Sequence, residues 1–183
     1  MIYFTSDLHF GHDRPFIYKP RGFDNVEAME CGLIDRWNEL INDEDEVYVL
    51  GDLMLVNISH GVECWNKLRG KKNIILGNHD SAARIKIYSE LPDTYILGYA
   101  MPFKYKDYHF YLSHYPALTS NCDVDDPLKT QIINLCGHTH TKDRFSDMDK
   151  GLIYHVELDA HDNKPVSIDR IIEDIKGRME KRA

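Results

Sequence analysis

Asp7 and His9, Asp52, the run Asn78-His79-Asp80, His114, and the pair His138 and His140 stand out as short polar clusters, each directly behind an apolar stretch. Their side chains offer carboxylate and amide oxygens and neutral imidazole nitrogens. That donor set suits manganese, iron, zinc or a similar divalent ion, and no cysteine stands among them to add a soft thiolate. A carboxylate can bridge two ions, and one that follows a glycine can sit on a tight turn where backbone must come close. Asp52, after Gly51, is therefore the bridging candidate, and Gly77 and Gly137 precede their own donor groups in the same way. Each cluster alone also has an ordinary reading. Asp-x-His is commonly a cap or turn, Gly-Asp a turn, and His114 between Ser113 and Tyr115 a hydrogen-bonded histidine at a strand end. Gly137-His138-Thr139-His140 is more specific, because two histidines two apart can face one ion cluster. Five such clusters in one order are hard to attribute to coincidence.

The elements that must position these residues follow from hydrophobic periodicity. Ile2 to Phe4, Val47 to Leu50 and Asn73 to Leu76 are short buried strands ending at Asp7/His9, Asp52 and Asn78-His79-Asp80 respectively. Between the first two, Val26, Met29, Leu33, Ile34, Trp37, Leu40 and Ile41 fall on one helical face, with Asp24 as the expected cap and Glu27 closing a capping box. Between the next two, Ser59 is the expected cap of a helix that carries Val62, Trp65 and Leu68 inward and stops at Gly70. The resulting βαβαβ pattern implies parallel strands with right-handed crossovers. In open α/β sheets ligands bind beyond the carboxyl ends of the strands, so donors distant in sequence can converge on one crevice.

After a weaker helix from about Ser81 to Glu90 the chain changes character. Tyr95 to Ala100, Met101 to Tyr105 and Tyr108 to Leu112 are aromatic-rich, with a hairpin turn at Lys106-Asp107. Strands at Ile132 to Cys136 and Ile153 to Leu158 and an amphipathic helix from about Ser167 complete the chain. The first half is expected to build sheet through crossovers and the second through antiparallel neighbours. Gly11 to Phe23, Ser113 to Pro127 and Thr141 to Gly151 are lid or rim segments by length.

With 183 residues and no linker or repeat, a single domain spanning 1–183 is expected. The formal net charge of -8 and the lack of a dense Lys/Arg cluster disfavour a stable nucleic-acid partner, whereas bound dications would reverse the sign locally for a small phosphorylated substrate. Cys31, Cys64, Cys122 and Cys136 are scattered and read as reduced thiols, mostly small buried hydrophobes. No apolar run approaches membrane-spanning length, and the strand-like Ile2-Tyr3-Phe4 directly follows Met1, so a cytoplasmic protein is expected. Nothing in the chain speaks to its oligomeric state.

The ordered set Asp7-x-His9, Gly51-Asp52, Gly77-Asn78-His79-Asp80, His114 and Gly137-His138-x-His140 resembles that of the calcineurin-like metallophosphoesterase superfamily. Ser6-Asp7-Leu8-His9-Phe10-Gly11-His12, Trp37-Asn38-Glu39 and Pro165-Val166-Ser167 further resemble a small bacterial and phage branch, so the likeness spans nearly the whole chain. The resemblance implies a two-sheet αββα sandwich of mixed strands. It implies that Asp7, His9, Asp52 and His140 bind one metal and that Asp52, Asn78, His114 and His138 bind the other, with manganese favoured and iron, zinc, nickel or magnesium as alternatives. Two such ions about 3.5–4 Å apart lower the pKa of a bridging water, so hydroxide can attack phosphorus in line with the leaving group. The resemblance makes His79 the acid that protonates the leaving oxygen, and Asp80 is expected to orient it through a carboxylate to imidazole hydrogen bond. His12 either contacts substrate phosphate at the rim or pairs with a carboxylate. Arg14, Arg21, Lys142 and Arg144 are loop cations that could grip a second phosphate or a base or simply be solvated. The expected reaction is hydrolysis of a phosphodiester or phosphomonoester in a small substrate such as a nucleotide. The superfamily also implies two alternatives: a nuclease or nucleic-acid end-processing phosphatase, and a non-catalytic scaffold.

Overall fold

The computed structural model describes residues 1–119, 132–146 and 152–180. One sheet is built from β1 (Ile2–Thr5), β2 (Glu46–Leu50), β3 (Lys71–Ile75) and β4 (Thr94–Gly98), all parallel, with β10 (Val166–Ser167) antiparallel along β1. The other has the order β5-β6-β7-β9-β8, from β5 (Ala100–Tyr105), β6 (Tyr108–Ser113), β7 (Ile132–Cys136), β9 (Ile153–His155) and β8 (Phe145–Ser146). The helices are α1 (Pro15–Tyr18), α2 (Val26–Leu40), α3 (Ile58–Trp65), α4 (Ala82–Tyr88) and α5 (Ile168–Glu180).

Period-2 alternation in the first sheet divides the core. Tyr3, Val47, Val49 and Ile74 face α2, α3 and α4, packing with Met29, Leu33, Trp37, Trp65 and Tyr88. Phe4, Leu50 and Ile75 face the other way, onto Phe110, Leu112, Ile133, Leu135 and Tyr154 of the second sheet and the apolar side of α5. Each fully buried side chain of this size stabilises by roughly 1.5–3 kcal/mol. The expected arrangement of two mixed sheets flanked by helices is thus the observed one.

Several local expectations are corrected. The cap of α2 is Asn25, whose side chain accepts from the Ala28 N–H at 2.8 Å, so the Asp24/Glu27 box does not form. Likewise α3 is capped by Asn57, which accepts from His60 N–H at 3.2 Å, leaving Ser59 inside the first turn. The aromatic-rich segment is shared between sheets: β4 continues the parallel sheet, and at Gly98 (φ 115), a conformation open mainly to glycine, the chain leaves it to begin β5. Among the described residues of the second sheet, β5-β6 and β8-β9 are antiparallel, while β6-β7 and β7-β9 are parallel. The parallel pairing of β6 with β7 is one that a strand-by-strand reading could not foresee. The strand expected to run from Ile153 to Leu158 stops at His155, and Leu158–Ala160 is a 3-10 turn. The rim segment at Gly11 to Phe23 contains α1, while those from Ser113 and Thr141 lie partly outside the described residues, as does Cys122. Cys31 is exposed and Cys64 and Cys136 are buried, all as free thiols. Among the described residues no helix is long and apolar enough to cross a membrane.

Candidate metal centre at the strand ends

The segments that follow β1, β2, β3, β6 and β7 meet where the two sheets abut. Backbone bonds tie them together: Asp7 N–H donates to Gly51 O (3.1 Å), His9 N–H to Asp52 O (3.1 Å) and Gly137 N–H to His114 O (3.0 Å). A side-chain carbon at Gly137 would overlap the Asp7 carboxylate and the Ser6 hydroxyl, so this approach requires glycine. Asp7 (φ 58), His9 (φ 54), Asp52 (φ 56), His138 (φ 75) and His140 (φ 50) all adopt left-handed backbone. Such conformations cost of order 1–3 kcal/mol each and persist only where the surroundings over-determine them.

One donor group comprises Asp7, His9 and His140. His9 Nε2 and His140 Nε2 are 3.1 Å apart, and Asp7 Oδ1 lies 3.7 Å from the first and 3.6 Å from the second. Asp7 Oδ1 is fully buried and has no hydrogen-bond partner. Ligands on an ion with bonds of about 2.0–2.2 Å are themselves roughly 2.8–3.6 Å apart, from octahedral to tetrahedral geometry, so this spacing, within about 0.1 Å of that range, and the orphaned carboxylate oxygen fit a divalent cation. Burial by itself would raise the Asp7 carboxyl, but the His9 imidazole beside it, with the charge of His140 and His114 beyond, holds it well below the usual carboxylate range. Burial pulls His9 down. At His140 burial also works downward, yet the bond to Asp159 and the charge of Asp7 outweigh it and the imidazole is raised.

A second group faces it. His114 Nδ1 donates to Leu50 O at 2.8 Å, which leaves Nε2 as a lone pair 2.8 Å from Asn78 Oδ1 and 3.5 Å from Asp52 Oδ2. The His138 ring is 5.0 Å from that of His114. Asp52 Oδ2 stands between the groups, 4.0 Å from His9 Nε2 and 3.8 Å from His79 Nε2. Asp7 also groups with Asp52 and His114, so a second carboxylate borders both halves, beyond what the turn argument for Asp52 foresees. The residues present therefore fit two neighbouring divalent ions.

His79 is held by its backbone, which donates to Asp52 Oδ1 at 3.0 Å, while its side chain is 44% exposed. The expected Asp80–His79 hydrogen bond is absent. Asp80 is buried; its Oδ2 accepts from Gly77 N–H (2.7 Å) and Asp52 N–H (3.1 Å), and its Oδ1 from Tyr88 O–H (2.9 Å). It ties the ends of β2 and β3 to α4 and is fully occupied there. His12 stands at the rim, its ring 5.5 Å from His9 and 5.7 Å from exposed Phe16. Burial, with His9 and Arg14 nearby, pushes its imidazole down to about 4.

Of the loop cations, Arg14 and Lys142 are exposed and Arg144 pairs with Asp174 of α5 at 3.0 Å. Arg21 is a buried structural cation. It donates to Asp159 Oδ2 (2.8 Å) and to Asp7 O (2.8 Å), and Asp159 Oδ2 in turn lies 3.1 Å from His140 Nδ1. A carboxylate on the far nitrogen orients a ligating imidazole. Glu157, entirely buried, accepts from Thr139 O–H (2.7 Å) and Thr141 N–H (3.3 Å) and so holds the His138–His140 loop. Asp159 and Glu157 escape sequence reasoning because neither belongs to a motif and their partners are remote; a buried acid just after a strand was the only signal.

The fold and site together define an α/β sandwich of two mixed sheets with an Asp/Asn/His cluster, suited to divalent metal ions, where the sheet ends meet. No protein-family model matches the chain. It is 31% identical over 183 residues to uncharacterized protein MJ1445 of Methanocaldococcus jannaschii, covering 97% of this chain and 93% of that one. It is 30% identical to the Gene 66 protein of Mycobacterium phage D29, covering 96% and 97%. The chain belongs to the family that these proteins represent. Among solved structures it resembles the protein of unknown function AQ665 from Aquifex aeolicus, with a TM-score of 0.68, 23% identity, and coverage of 96% and 98%. Looser likenesses, with TM-scores of 0.49 and 0.44, are to a novel archaeal phosphodiesterase (16% identity, coverage 87% and 86%) and to Yfce, a phosphoesterase from E. coli (18%, 85% and 77%).

Proposed function

We propose that this protein is a cytoplasmic phosphoesterase of the calcineurin-like metallophosphoesterase superfamily, dependent on two divalent ions, manganese first. Its substrate is a small phosphodiester or phosphomonoester of the nucleotide kind, and it acts without a stable nucleic-acid partner. The observation that carries the reading is Asp52 Oδ2 set between two donor groups, 4.0 Å from His9 on one side and 3.5 Å from His114 on the other. Asp7, His9, Asp52 and His140 would hold one ion, and Asp52, Asn78, His114 and His138 the other. Bound there, the pair would supply Lewis-acid activation of water and neutralisation of phosphoryl charge.

The chain's own contribution begins with the buried carboxylates, which fix the placement of charge before substrate arrives. His79 has the exposure and the backbone anchorage to deliver a proton from its ring to the leaving oxygen. His12, neutral near pH 7, would donate a hydrogen bond to a phosphate oxygen from the rim.

Activity profiling with manganese against cyclic nucleotides, nucleotides and simple mono- and diesters tests the proposal. A chain that binds no metal and cleaves none of them sinks it. His79→Ala should retain both ions by metal analysis while turnover drops about 10²–10⁴-fold; simultaneous loss of an ion would make His79 a ligand or a structural group.

A further inference from the structure

Away from the strand ends, α2 and α3 bring together another set of ligand-type side chains. Glu30 from α2 and His60 and Cys64 from α3 each place one ligand atom within 4.8 Å of the others. The i, i+4 spacing of His60 and Cys64 puts both on one helical face. His60 Nε2 lies 2.6 Å from Glu30 Oε2 and 3.6 Å from Cys64 Sγ. The floor of the cluster is dry, since Glu30 and Cys64 are buried, and its mouth is open, since the His60 side chain is 38% exposed. Glu30 Oε1 is engaged by Gly11 N–H at 2.6 Å, which aims Oε2 at the imidazole. On the far side of the ring, Glu63 Oε2 lies 3.6 Å from His60 Nδ1, where a carboxylate raises the basicity of a ligating histidine. None of these groups takes part in the strand-end centre.

We propose that Glu30, His60 and Cys64 form a separate mononuclear site for a zinc-type divalent ion, with its fourth position open to water. One thiolate, one imidazole and one carboxylate suit zinc and its close neighbours, and three protein ligands leave one tetrahedral position free. The thiolate rather than the thiol is the ligand, so binding expels the Cys64 proton to solvent. Through Glu30 and Gly11 an occupied site braces the loop that carries His9 and His12. The inference is independent of the phosphoesterase reading.

Cobalt(II) titrated into the full chain after chelator treatment tests it, because a thiolate ligand produces near-ultraviolet charge-transfer absorption that an Asp/Asn/His centre cannot. The expected result is such a band, with the intensity of one thiolate ligand per chain once all cobalt positions are filled, released by zinc, lost in Cys64→Ser and retained in Asp52→Asn. If Cys64→Ser fails to fold, His60→Gln decides: loss of the band with an unchanged thermal melt supports the site, and retention overturns it. A band that survives Cys64→Ser, or none at saturating cobalt in the folded wild-type chain, overturns it as well.

Discussion

Asp, Asn and His are at once the oxygen and nitrogen donors that divalent ions take and the non-glycine side chains that best tolerate left-handed backbone. Five of the seven candidate ligands sit in that conformation, so shape and chemistry select the same residue types. Asp52→Asn preserves both shape and size while removing the charge that two ions would share, and it should lower binding of both by metal analysis. Asp7→Asn should chiefly release the ion held by His9 and His140; loss of the same single ion in both variants would break the sharing assignment. His12 yields a prediction about acid. Its imidazole lies at about 4 in the folded chain against an ordinary 6.5. Below 6.5 the unfolded chain takes up a proton that the folded one refuses until about pH 4. The His12 environment is therefore harmless above pH 6.5 and increasingly destabilising as pH falls across that window. Denaturant unfolding against pH should show that slope flattened in His12→Asn.

At the scale of elements, Asp80 is the fastener of the centre rather than a partner of His79. Asp80→Ala would strand two buried N–H groups and the Tyr88 hydroxyl, and should cost about 1–3 kcal/mol by urea unfolding, with weaker metal binding because Asp52 N–H is one of them. A variant with native stability and metal content but slow turnover would return Asp80 to the chemistry. Short apolar runs made β1, β2 and β3 legible and 3.6-residue spacing did so for α2 and α3, while the motifs themselves marked where the donors would gather. Two-residue strands such as β8 and β10 carry too few positions to show any period. The Asp24 cap misplaced α2 by one residue because Asp and Asn offer equivalent side-chain oxygens side by side. Arg21 was ambiguous for a different reason: its partner Asp159 is 138 residues away, and a loop arginine reads as solvated until the fold buries it.

For the whole molecule, the two sheets are held by apolar packing over most of their contact and by polar groups at one end. Asp7, His9, Asp52 and Asn78 come from the first sheet's strand ends, and His114, His138 and His140 from the second's. Ions bound only by the folded chain stabilise it by mass action, about 4 kcal/mol when free ion exceeds its dissociation constant 1,000-fold. Chelation should therefore lower the melting temperature reversibly, and an unchanged melt would mean that the cluster holds no ion. The first passage between sheets, from β4 to β5, is a single exposed residue, Tyr99, and the chain returns to the first sheet with β10. Severing the chain there would leave two fragments with complementary and individually incomplete sets of ligands. On the proposed function, turnover would then become a readout of reassembly, and the protein a natural starting point for a split reporter whose signal a chelator would switch off.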